Sequence, residues 1–186
     1  LGLSSLKVVL LRSYRIKGLC LIFFVGLILC FWQLGSTGLF DETPPKFAAA
    51  ARGMSSTGDW LTPRANGIPR FDKPPLIYWL MGLFYSLPGQ EAWDPLGSWS
   101  ARLPSALSSV WMMIVLADTV IRWPHKNETF PRRTAVVTSF AFALSPLVMV
   151  WSRVAVSDAL LCSTIGTSML FQWRRYVNPF RNSWIY

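Results

Sequence analysis

Long apolar runs separated by short charged segments dominate the 186-residue chain. A helix needs about 20 mainly apolar residues to cross the hydrocarbon core of a bilayer. Four runs approach this length, and we predict that each forms a membrane-spanning helix: residues 18–35, 102–122, 134–151 and 154–173. Pro104 falls in the first turn of the second run, where a proline is tolerated. The pattern predicts an all-α polytopic membrane protein with about four transmembrane helices.

A long segment of mixed polarity, residues 36–101, separates the first two predicted spans. Such a length exceeds what a connection requires, so the segment is expected to carry function. The stretch FAAAARGM predicts a short helix there. The stretch PPLIYWLMGLFYSLPG, residues Pro74–Gly89, is apolar but too short to span. Its aromatic residues favour a helix lying in the membrane interface, and a buried helix of a small outer domain is the alternative.

The distribution of charge gives the predicted helices an orientation. The net charge is +9, yet only 15% of the residues are charged, which favours a membrane protein over a soluble one. Basic residues concentrate in residues 1–17, 123–133 and 174–186, whereas residues 36–100 carry five basic and six acidic side chains, net −1. By the positive-inside rule, the basic segments are cytoplasmic and residues 36–101 lie outside a plasma or inner membrane. Basic charge placed in this way argues against a nucleic-acid partner.

Four carboxylates are predicted to reach the outer face: Asp41 and Glu42 after the first span, Asp72 before the interfacial helix, and Asp158 at the start of the fourth span. A carboxylate inside a membrane helix is costly and rarely faces lipid, so Asp158 is a candidate functional residue. Two alternatives remain for it, namely a partner for Arg153 or an acid stabilised by the helix dipole.

Two other polar features are given no catalytic role. Asp118 lies near the cytoplasmic end of the second span and is predicted to pair with Arg122 at i, i+4. The three cysteines, an odd number without CxxC spacing, predict neither a disulfide framework nor a zinc site.

Basic side chains accompany the outer acids, among them Lys46, Arg70 and Lys73. Carboxylates beside basic groups at a membrane surface suit a site that binds a phosphate, with or without a divalent metal, and performs acid–base chemistry. In FDKPP, Asp72 would hold a hard cation while Lys73 neutralises the phosphate as a point charge. The alternative is that mixed charges merely solvate an outer loop.

Three motifs occur in order along the chain: GLFDETPPKFAAAARGM, TGDWLTPRANGIPRFDKPPLIYWL and SWSARLPSAL. They resemble the N-terminal part of the lipid-linked-sugar glycosyltransferases of the GT-C superfamily. The strongest resemblance is to bacterial aminoarabinose transferases for lipid A and to dolichyl-phosphate-mannose–protein mannosyltransferases. It extends from about Leu19 to Trp173. Because the chain starts without Met and stops within a pattern, we interpret it as an N-terminal fragment that is inactive alone.

The resemblance implies an enzyme that takes a sugar from a polyprenyl phosphate and transfers it, outside the membrane, to a glycolipid, protein or glycan. It implies that Asp41 is the main catalytic acid and Asp158 a second one. Glu42 is a further catalytic candidate, and the alternative is that it is only the electrostatic neighbour of Asp41. The residues implied to face the donor phosphate are Lys73, Lys46, Phe47 and Arg70. Asp72 is implied as the ligand of a divalent metal cation, at the position of the family's Glu/Asp-Lys-Pro site.

Two other functional classes are alternatives to a transferase. A secondary transporter or flippase of an amphiphilic substrate also uses intramembrane carboxylates and interrupted helices, but its sites lie near the bilayer midplane. The acids of this chain gather at one interface, which favours an enzyme. A non-catalytic membrane scaffold is the third class.

Overall fold

Helices form almost all of the regular structure in the computed structural model, which describes residues 3–124 and 128–177. The helices are α1 (Leu3–Phe31), α2 (Thr43–Thr57), α3 (Leu76–Tyr85), α4 (Gln90–Trp93), α5 (Ser98–Arg122), α6 (Pro131–Ala143), α7 (Pro146–Trp151) and α8 (Asp158–Val177). One short hairpin, β1 (Arg64–Ala65) and β2 (Ile68–Pro69), lies between α2 and α3. The predicted all-α class is confirmed.

Two helices are long and apolar enough to cross a membrane, Ser13–Phe31 within α1 and Ser98–Arg122, which is α5. They overlap the first two predicted spans, but α1 ends at Phe31 and α5 begins at Ser98, so Pro104 lies inside the helix rather than in its first turn. They pack against each other through small and flexible side chains; Gly26 of α1, for example, lies against Met113 of α5. Helices α6 and α8 pack on the other sides of α5, which is therefore the central helix of the described chain.

The third predicted span is divided. Helix α6 ends at Ala143 and α7 begins at Pro146. Pro146 lacks the amide hydrogen that a continuous helix would use, and the Ser145 side chain accepts a hydrogen bond from the Val148 amide, which starts the new helix. Residues 158–177 form one helix, α8. Because only α1 and α5 meet the membrane criteria among the residues described, crossings by 134–151 and 154–173 stay a prediction.

The elements between α1 and α5, called the outer layer because they lie in the segment predicted to be outside, pack on the N-terminal part of α5. The predicted short helix at 47–54 is part of α2, which packs on α3. Their shared core contains Phe47, Met54, Tyr78 and Met81. The opposite face of α3 leaves Leu76, Trp79 and Leu83 exposed. Helix α3 is thus buried on one side and apolar on the other; its place in a membrane interface stays a prediction.

The hairpin was not predicted from the sequence. Its strands pair antiparallel, Arg64 with Pro69 and Ala65 with Ile68. Asn66 and Gly67 at the turn both have positive φ, 54° and 80°, which is the geometry that an Asn-Gly pair favours in two-residue hairpins. The Arg70 amide donates to the Pro63 carbonyl at 2.8 Å, so the hairpin fixes the start of the motif that follows it.

Candidate active site on the outer layer

Asp41 lies in the connection between α1 and α2, next to the first turn of α2. Its backbone φ is +72°, a left-handed conformation that residues other than glycine seldom adopt. The side chain is exposed, and its Oδ1 accepts the Glu42 amide hydrogen at 2.7 Å. Pro44 and Pro45 occupy the first turn of α2, where amide hydrogens have no helical partner. The structure therefore holds Asp41 in a defined, solvent-facing turn.

Glu42 is engaged by a neighbour. It forms an exposed ion pair with Lys46, one helical turn further along α2. The hydrogen bond from the Lys46 ammonium holds the pKa of the Glu42 carboxyl below its usual value, and repulsion by Asp41 opposes this shift only weakly. Asp41 has no ion-pair partner in the part of the chain that the structure describes. Of the two adjacent acids, Asp41 is the one left available for chemistry.

The motif after the hairpin folds onto the start of α2. Arg70 lies over the Phe47 ring, with its guanidinium carbon 5.6 Å from the ring centre. The other face of the site is formed by Tyr78, whose ring stacks on Phe47 at 5.2 Å. Residues 70 and 47 are far apart in sequence, so this contact brings two of the three predicted motifs together.

Arg70 also binds Asp72 with two hydrogen bonds. Arg70 Nε donates to Oδ1 at 3.1 Å and Nη2 donates to Oδ2 at 2.7 Å. These bonds hold the pKa of Asp72 below its usual value and raise that of Arg70. Lys73, the next residue, is exposed and borders an open cleft of about 410 Å³, which Arg70 and Asp72 also line. The cleft offers two cations to an anion and is accessible to solvent.

Tyr78 is a residue of this site that the sequence analysis missed. Its side chain is fully buried, and its hydroxyl has no hydrogen-bond partner among the residues described. Arg70 Nη1 is also buried and has no hydrogen-bond partner among the residues described. Burial raises the pKa of the Tyr78 hydroxyl, and the charge of Arg70 opposes this effect. The available signal was its position in KPPLIYW, one helical turn after the prolines and on the buried face of α3.

Asp158 borders a different cavity from the one that Asp72 lines. It is the first residue of α8, exposed, with the Ser157 hydroxyl 3.4 Å from its Oδ1. It borders a mainly apolar cavity of about 540 Å³ between α5, α6, α7 and α8. Arg153, its predicted alternative partner, donates instead from Nη2 to the Leu29 carbonyl at 2.7 Å. The position at a helix N-terminus agrees with the helix-dipole interpretation. Within the described chain, no hydrogen bond or ion pair joins Asp158 to Asp41 or Asp72, although the neighbouring Ala155 and Val156 share a core with Phe47 and Tyr78.

The residues present do not assemble a metal site around Asp72. Both of its carboxylate oxygens accept hydrogen bonds from Arg70. Within the described ranges, no group of three or more histidine, cysteine, aspartate or glutamate side chains is placed to hold a metal ion. A metal at Asp72 therefore stays a prediction, and no chemical step is derived through one.

Comparison with known proteins gives three results. The sequence profile of the family described as dolichyl-phosphate-mannose-protein mannosyltransferase matches residues 72–186. An undecaprenyl phosphate-alpha-4-amino-4-deoxy-L-arabinose arabinosyl transferase of Pseudomonas savastanoi is 27% identical over 66% of this chain and 24% of its own length. An uncharacterized protein of Aquifex aeolicus is 31% identical over 78% of this chain and 32% of its own length.

A solved structure shares the fold. The crystal structure of ArnT from Cupriavidus metallidurans bound to undecaprenyl phosphate is 30% identical, with a TM-score of 0.68 over 81% of this chain and 26% of that one. Together with the two membrane-length helices, this similarity confirms the all-α polytopic membrane fold. The chain spans about 24% to 32% of the length of these relatives.

Proposed function

We propose, since this chain belongs to the dolichyl-phosphate-mannose-protein mannosyltransferase family, that it forms the N-terminal part of a membrane glycosyltransferase. The donor would be a sugar linked to a polyprenyl phosphate. The names of two similar proteins support this donor class, since one is an undecaprenyl-phosphate-aminoarabinose transferase and the other was crystallised with undecaprenyl phosphate. The acceptor would be a glycolipid, a protein or a glycan on the extracytoplasmic face.

The observation that carries the proposal is the contact between Arg70 and Phe47. It brings the RFDK segment against the N-terminal part of α2, which begins two residues after Asp41. Sugar transfer from a phosphate ester requires cations and a carboxylate, because the cations stabilise the leaving phosphate and the carboxylate accepts a proton from the acceptor.

In the proposed reaction, an acceptor oxygen forms a bond to the anomeric carbon of the sugar while the bond from that carbon to the phosphate oxygen breaks. The electron pair of the broken bond stays on the polyprenyl phosphate. Lys73 and Arg70, with Lys46 nearby, would stabilise the charge that develops there. Phe47 would support this group by fixing Arg70 over its ring.

Asp41 would act on the acceptor. When the acceptor is a hydroxyl, Asp41 accepts its proton as the bond to carbon forms. When the acceptor is a phosphate, no base is required, and Asp41 would orient the reacting groups. Glu42 would tune the same position through its pair with Lys46. Asp158 would serve a second substrate region at the apolar cavity beside α8.

The test is Asp41→Asn in the full-length protein that carries this chain. The substrate is undecaprenyl phosphate-linked 4-amino-4-deoxy-L-arabinose with a lipid A acceptor, and the measurement is release of the sugar from the donor. We expect the rate to fall by at least about 100-fold, the usual contribution of a positioned base. Membrane insertion should be unchanged, because Asp41 is exposed and outside the packed core.

Glu91→Gln is the matched control, since Glu91 is another exposed outer carboxylate, placed in α4 and away from the site. Full activity of Asp41→Asn would refute the catalytic assignment. A wild-type protein that moves the intact donor across a vesicle membrane, without releasing sugar, would instead establish the transporter class.

A further inference from the structure

The connection between α1 and Asp41 is held by a single buried arginine of another helix. Arg102 of α5 is 8% exposed, and its guanidinium faces three backbone carbonyls of this connection. Nη1 donates to the Leu34 carbonyl at 2.5 Å and to the Thr37 carbonyl at 3.0 Å. Nη2 donates to the Gly38 carbonyl at 2.8 Å. One side chain thus binds three of the backbone carbonyls in the turn that leads to Asp41.

The charge of Arg102 makes these bonds strong. A buried guanidinium is costly unless its hydrogens are bonded, and no carboxylate forms an ion pair with it among the residues described. Carbonyl dipoles and the nearby charge of Asp94 therefore stabilise the cation, while its Nε has no partner among the residues described. Hydrogen bonds of a charged donor are about twice as strong as neutral ones. Releasing the turn from Arg102 would leave both the cation and the carbonyls unsatisfied, so the turn and α5 are expected to move as one unit.

The start of α5 is itself fixed, so it can serve as a rigid support. Asp94, 4% exposed, accepts the Trp99 amide hydrogen at 3.2 Å and the Ser100 amide hydrogen at 2.8 Å. Ser98 donates from its hydroxyl to the Gly35 carbonyl at 3.3 Å. Gly35 approaches the Trp99 ring so closely that a Cβ there would lie 2.4 Å from it. The α1–α2 connection is thus docked on the first turns of α5.

We propose that Arg102 is a positioning residue for Asp41. By holding the Leu34, Thr37 and Gly38 carbonyls, it fixes the end of the connection and so maintains the left-handed conformation of Asp41 three residues later. This inference rests on the proposed role of Asp41 in sugar transfer. The sequence motif SWSARLPSAL then joins the site through the backbone that it holds rather than through contact with a substrate.

Arg102→Lys in the full-length protein tests the proposal. Lysine keeps the charge but loses the planar fork that reaches several carbonyls at once. We expect faster amide hydrogen exchange in residues 34–42. The kcat for sugar release from undecaprenyl phosphate-linked 4-amino-4-deoxy-L-arabinose should fall about 10- to 100-fold, as small displacements of reacting groups do. The affinity for undecaprenyl phosphate alone should stay within about twofold, because Arg70 and Lys73 lie on a different segment.

Arg153→Lys is the matched control. Arg153 also donates a guanidinium hydrogen to a backbone carbonyl of α1, at Leu29, but it does not contact the connection. It should change neither exchange in residues 34–42 nor kcat by more than about twofold. Equal losses in both variants would overturn the proposal, because they would indicate general loosening. Unchanged exchange in residues 34–42 of Arg102→Lys, or raised exchange with unchanged kcat, would also overturn it.

Failure of the proposed function is seen separately, as a wild-type protein that releases no sugar from the donor. The exchange measurement needs no activity, so it still decides whether Arg102 orders the connection. Should Arg102→Lys fail to fold, Ser98→Ala removes a neighbouring bond to the same connection at the Gly35 carbonyl. A smaller increase in exchange over residues 34–42 with a smaller loss of kcat would support the proposal, and the absence of both would refute it.

Discussion

Two aspartates at opposite ends of the molecule form ion pairs of very different construction. Asp118, near the end of α5, binds three arginines from three helices: Arg15 at 2.7 Å, Arg122 at 3.0 Å and Arg174 at 3.1 Å. Its side chain is 11% exposed. Asp72 on the outer layer binds only Arg70, two residues away in the same loop, and is half exposed.

This difference shows that the Asp118 carboxylate holds helices together, whereas the Asp72 carboxylate is free to take part in ligand binding. Asp118 joins α1, α5 and α8, and its predicted pair with Arg122 is confirmed as one part of this larger cluster. Three arginines and one aspartate leave a net charge of +2, which the Val115 carbonyl and the Thr119 hydroxyl help to stabilise. Asp72 joins no distant elements, so its pair with Arg70 contributes little to the fold and can rearrange around a bound anion.

The largest effect is expected from Asp118→Ala. Removing one partner of a buried ion pair leaves the other charges uncompensated, which costs about 3–5 kcal/mol. Here three arginines would lose their shared carboxylate. We expect the free energy of unfolding, measured by chemical denaturation in detergent, to fall by about that amount. Sugar release per folded molecule should be retained, because Asp118 lies far from the outer layer along α5.

Glu91→Ala serves as the control for loss of a carboxylate, because Glu91 is exposed and should change the free energy of unfolding by less than about 0.5 kcal/mol. An Asp118→Ala protein as stable as wild type would show that the three arginines find other partners, and the distinction between the two aspartates would fail.

Much of this architecture follows from apolar run length and proline placement. The positions of α1 and α5 and the start of α2 at Pro44 and Pro45 follow from local composition. The division of α6 from α7 was missed because the apolar run continues through Pro146, and hydropathy does not register a lost amide hydrogen. The Asn66-Gly67 hairpin was missed although its turn residues are a known signal.

The site was only partly accessible to sequence reasoning. Exposed charged residues such as Lys73 stand out next to apolar runs, so they are found by pattern. The roles of Tyr78 and Arg102 depend on contacts across tens of residues, and in sequence both resemble ordinary residues of helical segments. Whether a residue binds a ligand or a backbone carbonyl is decided by packing, which a single sequence does not contain.

An intermediate effect is expected from Asp72→Asn. The pair with Arg70 lies at the surface on the side of Asp72, which is half exposed, and such a pair is worth about 0–1 kcal/mol, so the stability should change by no more than that. Sugar release should change more, by about 10-fold, because Arg70 loses the partner that aims it over Phe47. A larger loss of stability than of activity would place Asp72 in the same structural class as Asp118.

The pH dependence of this pair has a definite sign. Arg70 lowers the pKa of Asp72 in the folded protein, so the stabilisation is complete above the unfolded value of about 3.9 and is lost as pH falls through the lower folded value. The difference in stability between wild type and Asp72→Asn should therefore be constant from about pH 5 to 8 and should shrink below about pH 4. Thermal unfolding across this range measures it.

The smallest effect is expected from Tyr78→Phe. This prediction extends the comparison to two buried hydroxyls, that of Tyr78 beside Arg70 and that of Thr119 beside Arg174. In the Asp118 cluster, the Thr119 hydroxyl accepts a hydrogen bond from Arg174 Nε at 3.1 Å and donates one to the Val115 carbonyl at 2.6 Å. The Tyr78 hydroxyl beneath Arg70 has no such partner in the described residues. Burial of an unpaired hydroxyl opposes folding, so its removal should leave stability unchanged or raise it by up to about 1 kcal/mol.

Thr119→Val, which removes a bonded hydroxyl at similar volume, should instead lower the free energy of unfolding by about 1–3 kcal/mol. Chemical denaturation of both variants under one condition measures the two effects. A destabilised Tyr78→Phe would mean that the Tyr78 hydroxyl is hydrogen-bonded in the folded protein. The buried hydroxyls of the outer layer and of the Asp118 cluster would then be equally well bonded.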